Sequence, residues 1–396
     1  MDITIYPRLL RGEITVIPSK SQAHRLLICA AFAHKPTTIL CSQKNRDMDA
    51  TACCLRALGA DIQETSQGYL VTPAVNIPTH AELPCGESGS TLRFMLPVVG
   101  ALGVDGVFRM EGRLPQRPLS PLWEEMERMG CSLTLPQENA LRCCARLRAG
   151  HYRIDGGVSS QFITGLLLGL SLLDGESELE ITGKVESKPY IDLTKQAMAL
   201  FGADPEHLGR KQFVSPGEVI VEGDWSNGAF FLCANAIGSE LVIRGLKEDS
   251  VQGDRAVTNI LHQLEVGTPT VSAADIPDLV PILSVAASCK NGAVFTDISR
   301  LRLKESDRVD SVCRMLASLG GKAEATDNTL TVYPCAFTGG TVDSCADHRI
   351  AMSAAIAATV AAGPVTILGA QCASKSYPSF WDEYARLGGN YEQYLR

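Results

Sequence analysis

Four times along the chain an apolar helical pattern ends in glycine and gives way to a strand-like run: Leu58-Gly59-Ala60-Asp61-Ile62, Met129-Gly130-Cys131-Ser132-Leu133, Phe201-Gly202-Ala203-Asp204 and Leu319-Gly320-Gly321-Lys322-Ala323. Gly59, Gly130 and Gly202 stand 71 and 72 residues apart. Leu-Gly pairs close helices everywhere, because glycine accepts the left-handed C-cap, but that habit does not explain even spacing. Weaker copies at Leu264-Glu265-Val266 and Leu387-Gly388-Gly389 bring the count to six, three before and three after residue 222. Within a unit, strands and helices alternate, as in the strand Leu179–Thr182, the helix Leu193–Phe201 and the strand Val219–Glu222. A chain built this way is expected to form a pseudo-symmetric α/β protein of two similar halves.

Gly223-Asp224-Trp225-Ser226-Asn227 divides the halves. Assigning the first strands, Ile3–Ile5 and Glu13–Ile17, to the second half gives a discontinuous domain, residues 1–18 plus 225–396, and an inserted domain, residues 19–224, with three α/β repeats in each. Two chain crossings would make a hinge, with a closing cleft between the domains. A chain of 396 residues exceeds what one core usually serves, which agrees with two domains. No apolar run has the character of a membrane span, and Met1-Asp2-Ile3-Thr4 lacks a basic leader, so a cytoplasmic protein is expected. The net charge of −8 argues against a nucleic-acid partner. The 14 cysteines, mostly in apolar segments or adjacent pairs, read as core thiols; the seven histidines are scattered. No metal and no organic cofactor is expected, and the chain is expected to be monomeric.

Against this acidic background the cations are grouped. Leu301-Arg302-Leu303-Lys304-Glu305-Ser306-Asp307-Arg308 runs into a helix marked by Val309, Val312, Cys313, Leu316 and Leu319, which puts Lys304, Glu305 and Arg308 at its N-terminal end. That end favours phosphate or carboxylate, and Glu305 among the cations is placed for proton transfer. Small-plus-basic clusters recur at Ser19-Lys20-Ser21 with Arg25, Gly86 to Arg93, Gly112 to Pro118, Ser159-Ser160-Gln161, Asp347-His348-Arg349 and Ser374-Lys375-Ser376, each where a strand or loop should feed a helix. One such cluster is no more than a solvated turn. Six imply a cleft holding several anionic groups.

These motifs, in this order, resemble the 5-enolpyruvylshikimate-3-phosphate synthase family, also called 3-phosphoshikimate 1-carboxyvinyltransferase, across essentially the whole chain. The resemblance implies two pseudo-threefold domains of βαβαββ-type units, an inside-out α/β barrel arrangement with a hinged cleft. It implies transfer of the enolpyruvyl group of phosphoenolpyruvate to the 5-hydroxyl of shikimate 3-phosphate, with phosphate released, in aromatic amino acid biosynthesis. Lys20, Ser21 and Arg25 match a segment contacting both substrates. Ser159, Ser160 and Gln161 match the phosphate-holding Ser-Ser-Gln, with Ser187, Tyr190 and Lys304 on the shikimate side. Gly89, Ser90, Arg117, Gln161, Arg308, Arg349 and Lys375 match positions around phosphoenolpyruvate, and Asp278 and Glu305 match the acid/base pair, aided by Lys20. Taken alone, Asp278 would be a helix N-cap and Tyr190 a packed aromatic.

Glu87 and Ser88 stand where Asn and Ala are frequent in the family, Ser90 replaces a frequent Thr, and Arg300 replaces an Asn near the shikimate phosphate. Arg300 either supplies charge there or points away. Gly89 leaves open space beside phosphoenolpyruvate, which in this family goes with glyphosate sensitivity. UDP-N-acetylglucosamine enolpyruvyl transferase is the nearest alternative; its reactive cysteine would fall on Gly112 here. A non-catalytic anion-binding module is the alternative from another class.

Overall fold

The structure is a computed structural model describing residues 1–209 and 213–394. The chain forms two compact units, Met1–Ile17 with Gly223–Arg396, and Pro18–Glu222. Each has its own buried apolar core.

Three sheets belong to each unit, and the four four-stranded ones share one topology. In the unit Pro18–Glu222, strand His80–Gly86 runs parallel to Asp105–Met110, which pairs antiparallel with Ala140–Cys144, which in turn pairs with Ser132–Gln137. The same order recurs in Glu218–Ile220, Thr37–Leu40, Gly68–Thr72 and Asp61–Thr65. In the other unit it recurs in Thr270–Ser272, Ala293–Thr296, Thr329–Tyr333 and Lys322–Ala325, and again in Gly340–Asp343, Val365–Leu368, Asp2–Tyr6 and Asn390–Tyr394. A two-stranded parallel sheet completes each set: His151–Asp155 with Glu178–Thr182, and Arg11–Thr15 with Glu240–Arg244.

Parallel neighbours need a crossover, and helices supply it. Lys20–Ala31, Gly89–Leu102 and Ser160–Leu170 in one unit, and Trp225–Ala236, Val280–Ser288 and His348–Ala358 in the other, are buried nearly all round. Apolar and small residues dominate them, as an enclosed helix requires, and polar exceptions such as Gln22, His24, Arg25, Arg93, His348 and Arg349 are buried near the helix starts. Gly165 shows how closely they pack, because a Cβ there would run into the Arg93 carbonyl. Outer helices are amphipathic instead: Arg308–Ser318 buries Val309, Val312, Met315 and Leu316, while Cys313 lies at the edge of the stripe. Helices inside and sheets outside make each unit the inside-out α/β arrangement that the family resemblance implies.

Gly59, Gly130, Gly202, Gly320 and Gly388 all take positive φ, between 66° and 113°, so five of the six repeats end on a left-handed glycine. The copy at Leu264-Glu265-Val266 differs: its helix ends at Val266, and Gly267, at φ 175°, is extended backbone. Among the described residues no helix is long and apolar enough to cross a membrane.

Candidate active site

In the unit Pro18–Glu222, four helices begin at serine. Ser19, Ser88 and Ser159 accept backbone N–H bonds from Gln22, Thr91 and Gln161, while Ser187 holds the left-handed φ of 55° without a side-chain cap bond. A neutral hydroxyl cap satisfies one N–H group and leaves the positive end of the helix dipole uncompensated. Side chains tie these four helices together near their starts. Arg25, only 2% exposed, donates from Nε to Thr194 Oγ1 at 2.8 Å, from Nη2 to Thr164 Oγ1 at 3.1 Å and the Tyr190 carbonyl at 2.9 Å, and from Nη1 to the Ser21 carbonyl at 2.5 Å. Its guanidinium is therefore largely engaged by protein, holding Ser21 and Tyr190 in place. Gln161 is fixed at both ends, its amide donating to Ser90 Oγ at 3.0 Å and accepting from Arg93 Nη1 at 2.8 Å. Gly89 faces the same group, since a Cβ on it would stand 2.6 Å from Arg117 Nη1 and 2.8 Å from Arg93 Nη1. The buried Nε of Arg117 has no hydrogen-bond partner among the described residues. Lys20 pairs with Asp47 at 2.9 Å.

In the other unit the centre is Arg308, 1% exposed, first residue of its helix and capped by Asp307. Its three nitrogens each take a different carboxylate: Nε to Asp347 Oδ2 at 2.8 Å, Nη1 to Asp278 Oδ1 at 2.6 Å, Nη2 to Glu305 Oε2 at 2.8 Å. Lys304 Nζ lies 3.6 Å and Arg349 Nη2 3.7 Å from Asp278. Burial alone would raise the Asp278 carboxyl, but Lys304, Arg308 and Arg349 hold it well below the usual carboxylate range. Burial draws the Lys304 ammonium down to about 8 despite Asp278 beside it, and the Arg300 charge acts in the same downward direction.

Several expectations need correction. Asp278 is not a helix cap; Leu279 occupies that position, and the Asp278 carboxylate turns to the cations. Lys304 and Glu305 precede the helix, between it and the short 3-10 helix Ser299–Leu303, because Asp307 supplies the cap. Lys375 ends the 3-10 helix Ala370–Lys375 and does not feed a helix start. Lys20 and Ser21, Ser160 and Gln161, and Arg349 do occupy first turns.

Sequence patterns alone did not single out Asp47, Arg93 or Asp347 as site residues. Arg93 and Asp347 sit within the quoted clusters; only folding shows that one holds Gln161 and the other Arg308. Gly112 bears on the alternative acceptor. Its φ is +55°, so a cysteine there would be strained, and the Glu87 side chain, 2.6 Å from where its Cβ would stand, would have to shift. Among the described residues no group of three or more His, Cys, Asp or Glu side chains is arranged to hold a metal ion.

The model of the family "EPSP synthase (3-phosphoshikimate 1-carboxyvinyltransferase)" matches residues 6–384. The chain is 35% identical over 432 residues to a 3-phosphoshikimate 1-carboxyvinyltransferase of Clostridium beijerinckii, covering 99% of both chains. It is likewise 35% identical over 433 residues to one of Clostridioides difficile, covering 99% of this chain and 98% of that one. An EPSP synthase structure from Acinetobacter baumannii matches with TM-score 0.81 at 23% identity, covering 99% of this chain and 100% of that chain. The enolpyruvyl transferase NikO from Streptomyces tendae matches with TM-score 0.78 at 19% identity, covering 99% and 98%. The two structural likenesses bear on the fold, the two relatives and the family match on descent: this chain belongs to the EPSP synthase (3-phosphoshikimate 1-carboxyvinyltransferase) family.

Proposed function

We propose that the protein transfers the enolpyruvyl group of phosphoenolpyruvate to the 5-hydroxyl of shikimate 3-phosphate, and that it acts as a cytoplasmic monomer. Family membership supports the reaction. The observation that carries the residue assignment is one buried guanidinium, Arg308, holding both Asp278 and Glu305.

Phosphoenolpyruvate brings a phosphate and a carboxylate, and Arg117, Arg308, Arg349, Lys375 and Lys20 replace the water these lose, with Gly89 leaving room and Ser90 and Gln161 donating. Ser159, Ser160, Gln161, Ser187, Lys304 and Lys20 take shikimate 3-phosphate, with Ser21 and Tyr190 held by Arg25. In the addition step Asp278 removes the 5-hydroxyl proton, the oxygen bonds to C2 of phosphoenolpyruvate, and Glu305 with Lys20 delivers a proton to the methylene carbon. In the elimination step Glu305 takes a proton back from the new methyl group as the bond from C2 to the phosphate oxygen breaks, and the enolpyruvyl ether and inorganic phosphate remain. Asp278 is a weak base while three cations surround it. Substrate anions that draw off Arg308, Arg349 and Lys304 raise its affinity for the proton at the moment it is needed.

The test is phosphate release on mixing the protein with phosphoenolpyruvate and shikimate 3-phosphate, with UDP-N-acetylglucosamine as the competing acceptor. Release that requires shikimate 3-phosphate is expected; release with the nucleotide sugar alone, or tight binding without release, refutes the assignment. Asp278→Asn should lower turnover by about 10²–10⁴-fold with both substrates still bound; near-normal turnover would remove Asp278 from the role of base.

A further inference from the structure

Behind Arg349 stands a carboxyl that the mechanism above does not use. Arg349 Nη1 donates to the Ser226 carbonyl at 2.9 Å, and its buried Nε has no hydrogen-bond partner among the described residues. Ser226 lies in the first turn of the helix Trp225–Ala236, and its hydroxyl donates to Asp254 Oδ2. Asp254 is 4% exposed, and its Oδ1 too is buried without a partner among the described residues. The neighbouring Gln252 grips the same turn from both sides, accepting from the Trp225 N–H at 3.1 Å and donating to the Gly223 carbonyl at 2.9 Å. Gln252-Gly253-Asp254 thus forms a template that fixes where the Ser226 carbonyl stands, and with it the Arg349 guanidinium.

An asparagine of the same shape would accept that hydrogen bond too, so the carboxyl calls for a reason. The charged groups that act on Asp254 are Asp278, Arg349 and Asp224. Arg349 already faces Asp278 at 3.7 Å. A second ionised carboxylate would quench the charge that Arg349 offers to an incoming anion. Burial, followed by the Asp278 charge, pushes the Asp254 carboxyl up to about 7.

We propose that Asp254 is a positioning residue for phosphoenolpyruvate, which through Ser226 holds Arg349 where its charge is directed at the ligand. This rests on the assignment of Arg349 to phosphoenolpyruvate. By linkage, binding of the anion and protonation of Asp254 favour each other.

The test is KM for each substrate from about pH 6 to about pH 9 in wild type, Asp254→Asn, Asp254→Ala and Arg349→Gln, a range that spans the titration. Asparagine mimics the protonated acid. The Asp254→Asn KM for phosphoenolpyruvate should match wild type at the acid end and be roughly three- to tenfold lower than wild type at the alkaline end, where wild type ionises. Asp254→Ala should raise that KM roughly tenfold at every pH while the KM for shikimate 3-phosphate stays within about twofold, a split that general loss of structure would not produce. If Asp254→Ala does not fold, by near-ultraviolet circular dichroism, the asparagine variant decides alone. Superimposable wild-type and Asp254→Asn profiles overturn the proposal while Arg349→Gln still raises the KM for phosphoenolpyruvate. If Arg349→Gln leaves that KM unchanged, the parent assignment fails and this proposal falls with it.

Discussion

Arg308 joins three carboxylates on one planar fork, and only arginine can do this, because lysine offers a single point of charge. Neighbouring positions are equally constrained by geometry. Gly89→Ala would push a methyl against the Arg117 and Arg93 guanidiniums, so the KM for phosphoenolpyruvate should rise roughly tenfold with kcat little changed, which is about 1.4 kcal/mol of ligand binding. Glyphosate, competing with phosphoenolpyruvate, should inhibit wild type and lose potency against the variant; unchanged inhibition would place the glycine away from the anion. Lys304 yields a pH dependence. Its ammonium is charged below about pH 8 and neutral above, so affinity for shikimate 3-phosphate should fall as pH rises past that point. A Lys304→Met variant should bind more weakly at neutral pH and show a flatter alkaline limb in substrate titrations.

Many of the candidate site residues lie at or just before helix starts in both units, yet the two units cap those helices differently. Serines cap the site-bearing helices in Pro18–Glu222, and aspartates cap Trp225–Ala236, Arg308–Ser318 and His348–Ala358 in the other. Neutral caps leave helix dipoles to attract anions directly, whereas Asp caps neutralise the dipole and leave attraction to arginine and lysine. Asp307, which accepts from the Val309 and Asp310 N–H groups, anchors the helix that starts with Arg308. Asp307→Ala should cost about 1 kcal/mol of stability in urea unfolding. It should also lower turnover, because Arg308 would lose its fixed starting geometry. A stability loss with unchanged turnover would show that the buried ion pairs hold Arg308 without the cap.

At the scale of the molecule, a chain of net charge −8 concentrates its buried cations at Arg25, Arg93, Arg308 and Arg349, so anion binding should stabilise the fold measurably. Shikimate 3-phosphate at about 100 times its Kd should add about 2.7 kcal/mol and raise Tm by several degrees. Thermal scans with UDP-N-acetylglucosamine should show no comparable shift. The fold class was legible in the sequence because it depends on periodic signals: apolar helices, glycine ends and even spacing act locally and repeat. The exception is instructive, since Gly267 shows that a helix can end without the left-handed cap its neighbours use. Residue types suited to phosphate and proton transfer were also visible, as clusters near helix starts. Their partnerships were not. Nothing local joins Arg308 to Asp278, 30 residues away, or to Asp347, 39 residues away. Nor does anything local turn Asp278 from a cap into a half-buried anion held by cations, engage Arg25 within its own unit, or set Asp254 behind Arg349. Those facts depend on which helix ends meet in the folded unit, and burial then decides which charges pair and how readily each holds its proton.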